Sequence, residues 1–423
     1  MSTREDRRVL RRLTGRFGVA LEYPDFRRLW MANAFAQAGS WGLIVTRGWF
    51  IYSESESPFL VGLATFAAMG PMLIIPPVIG VLADRLDRRR ILSAAYIVDA
   101  TQSAMLMVLA FTGLLEVWMV IGLSLVNGIS RSTQLPTSQA MAATLVPGDR
   151  LLNALALNAS TQHGSRLFGP GIVTPLLAVA GAPAAFLVSV LFYVGALVQI
   201  RRLPPQPPTA AVRHGFVSEF LGGLAFVYER PVLRMMLLIL VCHCALTMAF
   251  ESLLPSFAAE RLQSPEGFGA LMMGVGSGAL VASLWVSGLQ TTRARGNALL
   301  VAGLISGLGQ VLLALTTSLV VAVAAAAVMG GAQAAFMTMG QAVTQSIATD
   351  EFRGRVASLN AFSLGGMMAT MNLFNGTLAE QFGAQPILLI DGVLFALIVL
   401  LSLGTVTGRR VYDRRPAAAP VAA

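Results

Sequence analysis

The stretch GVLADRLDRRR, residues 80–90, stands between two long apolar segments and decides the fold. Gly80 permits a close approach of two helices, and Asp84 can accept hydrogen bonds from the N-terminus of a neighbouring helix. The arginines that follow can form ion pairs at a membrane surface. A loop that only orients the chain needs the arginines but not this order of Gly, Asp and Arg. We therefore predict a specific motif formed by Gly80, Asp84, Arg85, Arg88 and Arg89.

The composition around this stretch is that of a membrane protein. Of the 423 residues, 55% are hydrophobic and only 12% are charged, whereas soluble domains carry about 25% charged residues. All 30 basic residues are Arg. The net charge of +9 does not indicate a nucleic-acid-binding protein, because the arginines fall between apolar segments and not on one soluble face. The lipid bilayer is the partner that the composition predicts.

Twelve stretches have the roughly 20 mainly apolar residues that a membrane-spanning helix needs. The predicted spans are 29–52, 59–83, 91–113, 117–141, 154–180, 184–200, 233–257, 268–289, 298–317, 319–345, 356–378 and 386–406.

The chain is thus divided into a basic N-terminal segment, two six-helix bundles joined by a linker with an amphipathic helix, and a tail. The predicted bounds are 1–28, 29–200, 201–232, 233–406 and 407–423. Of the 30 Arg residues, 26 lie in the tails and in the loops of one side. Arginine-rich loops stay in the cytoplasm, so we expect both termini to be cytoplasmic in a bacterial inner membrane.

The two bundles are related by an internal repeat. An offset of 202 carries Gly128 to Gly330 and the tripeptide 157–159 to the identical tripeptide 359–361. Since both halves begin on the cytoplasmic side, the repeat is parallel, as in transporters that rock one half against the other. The predicted fold class is an all-α membrane protein of twelve transmembrane helices in two parallel-repeat bundles.

These features resemble the major facilitator superfamily, whose loop between helices 2 and 3 follows the pattern of residues 80–90 with Gly in place of Asp87. The segments 26–30, 136–140 and 350–356 resemble the branch that contains the enterobactin exporter. The resemblance implies a secondary transporter that works by alternating access, in which Gly80, Asp84, Arg85, Arg88 and Arg89 form a cytoplasmic gate motif. It also implies that predicted spans 1, 4, 7 and 10 line a central cavity.

Predicted span 5 contains Gly169 and Pro170, which match part of the family's antiporter motif. A Gly-Pro kink at this place is associated with exporters of the family, although an ordinary proline kink explains it equally well. The resemblance favours a proton-driven exporter that acts as a monomer. An importer of a small metabolite and a non-transporting sensor or scaffold on the same fold are the alternatives.

Ionisable groups within the spans are the best pointers to function, because each costs at least ~2.5 to 3.5 kcal/mol at the bilayer centre unless it is paired or hydrated. We predict a substrate and proton pathway formed by these residues and by polar amides of the second bundle: Arg47, Arg131, His163, Arg166, His243, Glu251, Gln341 and Asn372. Asp99 and Asp391 fall on helices that are peripheral in the family, and we expect them to be structural.

Two of these residues form a predicted cross-repeat pair. An offset of 207 carries Arg47 to residue 254, close to Glu251 on the repeat-related span. We hypothesise that Arg47 and Glu251 pair when the outer side closes and separate when it opens. A fixed pair within one half, or no contact, is the alternative.

The charges also suggest a substrate class and a coupling ion. Arg131 and Arg166, with Arg47, give the first bundle a field suited to an anionic or amphipathic small molecule. His163 and His243 carry imidazoles that titrate near pH ~6.5 when unperturbed. Desolvation favours the neutral form of a carboxyl such as Glu251, which is therefore the first candidate for proton coupling.

Other functional classes are excluded by missing motifs. A phosphate-binding Walker loop needs a Lys, and the chain has none. The sequence contains neither a His-Glu-x-x-His metal motif nor a Gly-x-Ser-x-Gly nucleophile turn. Cys242 and Cys244 have no further Cys to complete a metal set. We expect no enzymatic activity, no cofactor and no metal.

Overall fold

The computed structural model describes residues 19–75, 86–206, 216–287, 292–349 and 352–413. Within these ranges the chain is helical and contains no strand, which confirms the all-α prediction. The helices are α1 Pro24–Ser55, α2 Pro58–Met69, α3 Arg88–Thr112, α4 Val117–Leu145, α5 Leu151–Arg201, α6 Phe216–Tyr228, α7 Pro231–Leu246, α8 Gly267–Ser287, α9 Thr292–Leu315, α10 Leu319–Ile347, α11 Arg353–Phe362, α12 Met368–Phe382, α13 Ala384–Leu403 and α14 Val406–Asp413.

Six of the described helices are long and apolar enough to cross a membrane, namely α3, α5, α8, α9, α10 and α13. Helix α2 with its 3-10 extension to Leu73, and helix α7, are apolar but shorter. Helix α1 is 32 residues long, but polar residues such as Asn33 and Arg47 interrupt its apolar run. The apolar helices agree with a chain that crosses the membrane several times.

Helix α5 contains two of the predicted spans. It runs for 51 residues, and its dihedral angles depart from helical values only at Gly181, with φ of 70° and ψ of −173°. Because a side chain is strained at this positive φ, Gly suits the position. The break coincides with the predicted boundary between spans 154–180 and 184–200.

The predicted span 233–257 is wrong as a single helix. Helix α7 ends at Leu246, and the chain is non-helical until a short turn at Leu254–Ser256, which a π-helical turn at Phe257–Arg261 follows. Pro255 has no N–H to donate to the preceding turn. The sequence 233–257 is apolar enough for a helix, so its hydropathy gave no sign of the interruption.

The predicted span 356–378 is also interrupted. Helices α11 and α12 are separated by a π-helical turn at Ser363–Met367, which contains Gly365 and Gly366. Such turns insert one extra residue into an α-helix and are frequent at functional sites.

The chain divides into two compact units. The first unit comprises Met1–Glu54 and Ala67–Val212, and the second comprises Ser55–Phe66 and Arg213–Ala423. Most of α2 therefore belongs to the second unit, although it lies in the first half of the sequence.

Glycines bring helices of the first unit close together. A Cβ added to Gly128 of α4 would lie 2.6 Å from the carbonyl oxygen of Ala67. A Cβ added to Gly169 of α5 would lie 2.5 Å from the carbonyl oxygen of Ala38 in α1. Small residues at helix crossings replace the hydrophobic effect as the means of tight packing in a membrane.

The amphipathic helix α6 packs against α11 in the second unit. The rings of Phe226 and Phe352 stack with centroids 4.3 Å apart, and the guanidinium carbon of Arg355 lies 4.7 Å from the centre of the Phe352 ring. Gly222 and Gly223 leave room for the Arg355 side chain. Phe352 and Arg355 thus anchor the linker helix.

Candidate functional site

A buried charged network joins α1, α3 and α4 in the first unit. Arg47 is only 4% exposed. Its Nη2 donates to Gln102 Oε1 at 2.8 Å, and its Nη1 donates to Asn127 Oδ1 at 3.1 Å. The other end of the Asn127 amide donates from Nδ2 to Asp99 Oδ1 at 2.7 Å. One side-chain amide therefore bridges a buried guanidinium and a buried carboxyl.

Asp99, for which the sequence predicts a structural role, is the centre of this network. It is fully buried and accepts hydrogen bonds from Ser130 Oγ at 3.0 Å and Gln134 Nε2 at 2.5 Å in addition to Asn127. The three donors lie at helical spacings of three and four residues along α4. That stripe on an apolar helix was a signal, because a polar face on a membrane helix indicates polar neighbours on that side.

Arg131 and Arg166 meet at one tryptophan. The guanidinium carbon of Arg166 lies 4.3 Å from the centre of the Trp41 ring, and that of Arg131 lies 5.8 Å from it. Trp41 is 5% exposed, and its indole N–H has no hydrogen-bond partner. The two guanidinium groups and the indole ring, from α4, α5 and α1, form a positively charged cluster with an aromatic surface. The sequence predicts both arginines as site residues but not Trp41.

Gly169 and Pro170 lie within the regular part of α5. The dihedral angles of the helix stay helical at both residues. Gly169 serves the crossing with α1, where an added Cβ would also lie 3.0 Å from Trp41 Cβ. The glycine therefore sets the distance between α5 and the helix that carries Trp41.

His243 lies in an aromatic cage in the second unit. Its ring is fully buried, with centroids 4.6 Å from the ring of Phe336 and 5.0 Å from that of Phe395. Its Nε2 is 3.2 Å from Ser306 Oγ, whereas Nδ1 has no hydrogen-bond partner. The side chain of His163, the other predicted histidine, lies outside the described residues.

Glu251 lies in the interrupted segment between Leu246 and Leu254 and is 1% exposed. Polar side chains of neighbouring helices satisfy the backbone of this segment. Asn372 Oδ1 accepts from the Ser252 N–H at 2.9 Å, and Asn375 Nδ2 donates to the Ala249 carbonyl at 3.0 Å.

Gln333 of α10 donates in the same way to the carbonyl of Thr247. Backbone that leaves the helix at membrane depth is tolerated where protein groups satisfy it. The predicted residue Asn372 therefore supports the segment that carries Glu251. Gln341 is partly buried in α10.

The described part of the gate motif ties α3 to the end of α5. Asp87 Oδ1 accepts from the backbone N–H groups of Arg89 at 2.9 Å and Gln206 at 3.0 Å. Arg89 Nη2 donates to the carbonyl of Arg201 at 2.7 Å. Asp87 thus caps α3, which gives a role to the residue that departs from the family pattern.

Three other gate residues, Gly80, Asp84 and Arg85, lie outside the described residues. Arg88 is partly buried at the start of α3. The pairing of Arg47 with Glu251 stays a prediction, because the two residues belong to different units. Among the described residues, no group of three His, Cys, Asp or Glu side chains could hold a metal ion.

Comparison with known proteins places these features in a family. The model of the transmembrane secretion effector family matches residues 19–411. The chain is 23% identical over 391 residues to macrolide efflux protein A of Streptococcus pyogenes, with 89% of this chain and 94% of that protein covered. It is 26% identical over 395 residues to the enterobactin exporter of Shigella boydii serotype 4, with 89% and 92% covered.

Solved structures agree with the fold. The nucleoside transporter NupG superposes with a TM-score of 0.71 at 11% identity, over 92% of this chain and 100% of that chain. A POT family transporter in complex with 5-aminolevulinic acid superposes with a TM-score of 0.70 at 12% identity, over 90% and 95%. At these identities the likeness concerns the fold alone.

Proposed function

Because the chain belongs to the transmembrane secretion effector family of the major facilitator superfamily, we propose that it is a proton-coupled exporter of a small amphipathic or anionic molecule. It is a multi-pass membrane transporter and not an enzyme. The mechanism that we propose is alternating access, in which the substrate and the proton use the same carrier in turn.

The buried, interrupted segment around Glu251 carries the proposal of proton coupling. Secondary transporters commonly place their coupling-ion and substrate sites where a transmembrane helix is discontinuous. Here the discontinuity holds a carboxyl that is 1% exposed, next to backbone that Asn372, Asn375 and Gln333 stabilise. A structural helix in the same place would not need an acid whose desolvation costs several kcal/mol.

The cluster of Trp41, Arg131 and Arg166 supports the substrate class. A cationic group with an aromatic face binds molecules that combine a negative charge with a flat or apolar part. The direction of transport is supported by the names of the relatives, which include macrolide and multidrug efflux proteins as well as the enterobactin exporter. We propose that the cluster contacts the substrate.

The proposed architecture is two parallel repeats of six helices. Equivalent glycines support it: Gly128 of α4 approaches the backbone of Ala67 at the end of α2, and its counterpart Gly330 of α10 approaches the backbone of Val275 in α8. Gly128 and Gly330, which the offset of 202 relates, thus serve equivalent helix crossings in the two units. We further propose a monomer in a bacterial inner membrane with both termini in the cytoplasm, on the distribution of Arg.

Proton flux in proteoliposomes tests the proposal. The purified chain is reconstituted with a pH-sensitive dye inside, and probes are added one at a time: a macrolide, a carboxylate dye, a catecholate and a neutral hydrophobic dye. We expect the amphipathic or anionic probes to release protons from the lumen in exchange for uptake, and the neutral dye to do so less. Absence of proton movement with every probe contradicts proton coupling. Equal movement of neutral and anionic probes contradicts the substrate class.

A further inference from the structure

We propose that Asp99 is a second proton-binding carboxyl, located in the first unit, and that Ser130 relays its proton. The inference rests on the proposed function only in linking this proton to transport. The binding of the proton itself is a property of the network around Asp99 and needs no substrate.

The hydrogen bonds around Asp99 suit both of its protonation states. Ser130 Oγ lies 3.0 Å from Asp99 Oδ2 and 2.9 Å from the carbonyl oxygen of Ala95. Its single hydrogen can serve only one of these acceptors at a time. When Asp99 is ionised, Ser130 donates to Oδ2. When Oδ2 carries a proton, Asp99 donates to Ser130 Oγ, and Ser130 turns its hydrogen to the Ala95 carbonyl.

The remaining donors hold the carboxyl in place in either state. Asn127 donates to Oδ1, the oxygen that keeps its acceptor role when the proton is on Oδ2. Gln134 donates to Oδ2 and also lies 3.4 Å from Ser130 Oγ.

The protonation state of Asp99 changes the charge balance with the ionisable groups that face it. Arg47 of α1 is its positive partner through the Asn127 amide. Arg131 of α4 interacts with Arg47, and the hydroxyl groups of Tyr96 in α3 and Tyr193 in α5 lie within electrostatic range of Asp99. Protonation of Asp99 leaves the Arg47 charge without its counterion, and this changes the field in which an anionic substrate would bind.

A mainly apolar surface groove of about 650 Å³ between α3 and α4 reaches Ser130 from the Arg-rich end of α3. Its wall includes Asp87 and Arg90 at that end and Ser130 and Thr133 at the other. In the proposed relay, a hydronium ion donates its proton to Ser130 Oγ as Ser130 passes its own proton to Asp99 Oδ2. The products are water, an unchanged Ser130 and a neutral Asp99, so protons and charges balance.

Infrared titration of the purified full-length protein tests proton binding without any substrate. We expect the pH-dependent band of a protonated carboxylic acid to contain one component that Asp99→Asn removes and Glu251→Gln retains. If the spectrum of Asp99→Asn keeps every pH-dependent component of the wild-type protein, Asp99 does not bind the proton. A failure to detect transport in proteoliposomes contradicts the proposed function but leaves this result untouched.

The relay is tested by Ser130→Ala, a variant that keeps Asp99; if Asp99→Asn does not fold, the band to follow is the pH-dependent component that Glu251→Gln retains. After a rapid change of pH, we expect the Asp99 band to respond at least about 100-fold more slowly in Ser130→Ala, the lower end of what a positioned proton donor contributes. Ser132→Ala is the matched control, because Ser132 is as buried and bonds only to its own helix at the Gly128 carbonyl. Equal rates in the two variants overturn the relay.

Discussion

Gly169 of α5 lies directly against Ala38 of α1, so that an added Cβ would stand 2.5 Å from the Ala38 carbonyl oxygen. A backbone oxygen cannot move aside as a side chain can. The crossing of α1 and α5 therefore depends on the absence of a side chain at residue 169, and Trp41 is positioned by the same contact.

We predict that Gly169→Ala destabilises the protein by about 1 to 3 kcal/mol, the usual cost of overpacking. Gly164→Ala is the control on the same helix, since a Cβ there would meet only the Phe168 ring at 3.9 Å. We expect that change to be neutral or to stabilise by up to about 1 kcal/mol, because Ala is the better helix former. Thermal unfolding in detergent compares the two, and equal stability would contradict the role of the crossing.

The buried pair of Arg47 and Asp99 predicts a compensating double mutant. Arg47→Gln and Asp99→Asn should each destabilise the protein by about 3 to 5 kcal/mol, since each leaves an uncompensated buried charge. The double variant should lose at least about 1 kcal/mol less than the sum of the two. Unfolding of all three variants gives the coupling energy, and strict additivity would show that the Asn127 bridge does not couple the charges.

The sequence alone predicted the membrane class, the all-α fold and the family, because these depend on composition, hydropathy and local motifs. It also named Arg131 and Arg166, since an arginine in an apolar span always needs a partner. It could not show that both arginines lie on Trp41, because aromatic residues are common in membrane helices and only the packing of three helices selects this one.

Two other features were beyond the sequence for different reasons. The sequence predicts a structural role for Asp99 but could not show the network around it, because the bond to Asn127 joins residues of two helices. The interruption of the span near Glu251 was hidden by high hydropathy, since the groups that satisfy its backbone come from residues more than 80 positions away, such as Gln333 and Asn372.

Trp41 predicts discrimination between substrate classes. Trp41→Phe keeps an aromatic ring but weakens its attraction for cations, an interaction worth about 0.5 to 2 kcal/mol. We therefore expect a roughly 2- to 10-fold rise in the KM of an anionic probe with a smaller change for a neutral one. Trp49→Phe on the same helix is the control, and equal effects of the two substitutions on the anionic probe would contradict a role of Trp41 in recognition.

Glu380 predicts a local effect on the start of α2. Its Oε2 accepts from Ser57 Oγ at 2.8 Å and from the Phe59 N–H at 3.2 Å. A negative charge at a helix N-terminus stabilises by about 0.3 to 1 kcal/mol. Glu380→Gln should therefore speed amide hydrogen exchange in the first turn of α2, while the exposed Glu54→Gln should leave it unchanged. Unaltered exchange at residues 58–61 in Glu380→Gln would show that the carboxylate does not cap the helix.

If Glu251 couples transport to protons, its substitution should abolish proton coupling but leave substrate exchange intact. Glu251→Gln keeps the size and the hydrogen-bonding capacity of the side chain but cannot bind and release a proton. We expect proton-driven uptake of a macrolide or a carboxylate dye to be abolished in proteoliposomes, while exchange of labelled for unlabelled probe continues. Exchange needs only the movement of the loaded carrier, whereas net transport needs the proton to return with the empty one.

The control for this experiment is Glu260→Gln, since Glu260 lies in the adjacent π-helical turn and is exposed. It should retain both activities. Asn372→Ala adds a second measurement, because it removes the acceptor for the Ser252 N–H without changing Glu251. That variant should weaken proton coupling, because the segment that carries Glu251 loses a support. Restored coupling in Asn372→Asp would show that the acceptor oxygen at residue 372 provides this support. Proton-driven transport that persists undiminished in Glu251→Gln would transfer the coupling role to another carboxyl, and Asp99 is the buried acid with the matching geometry.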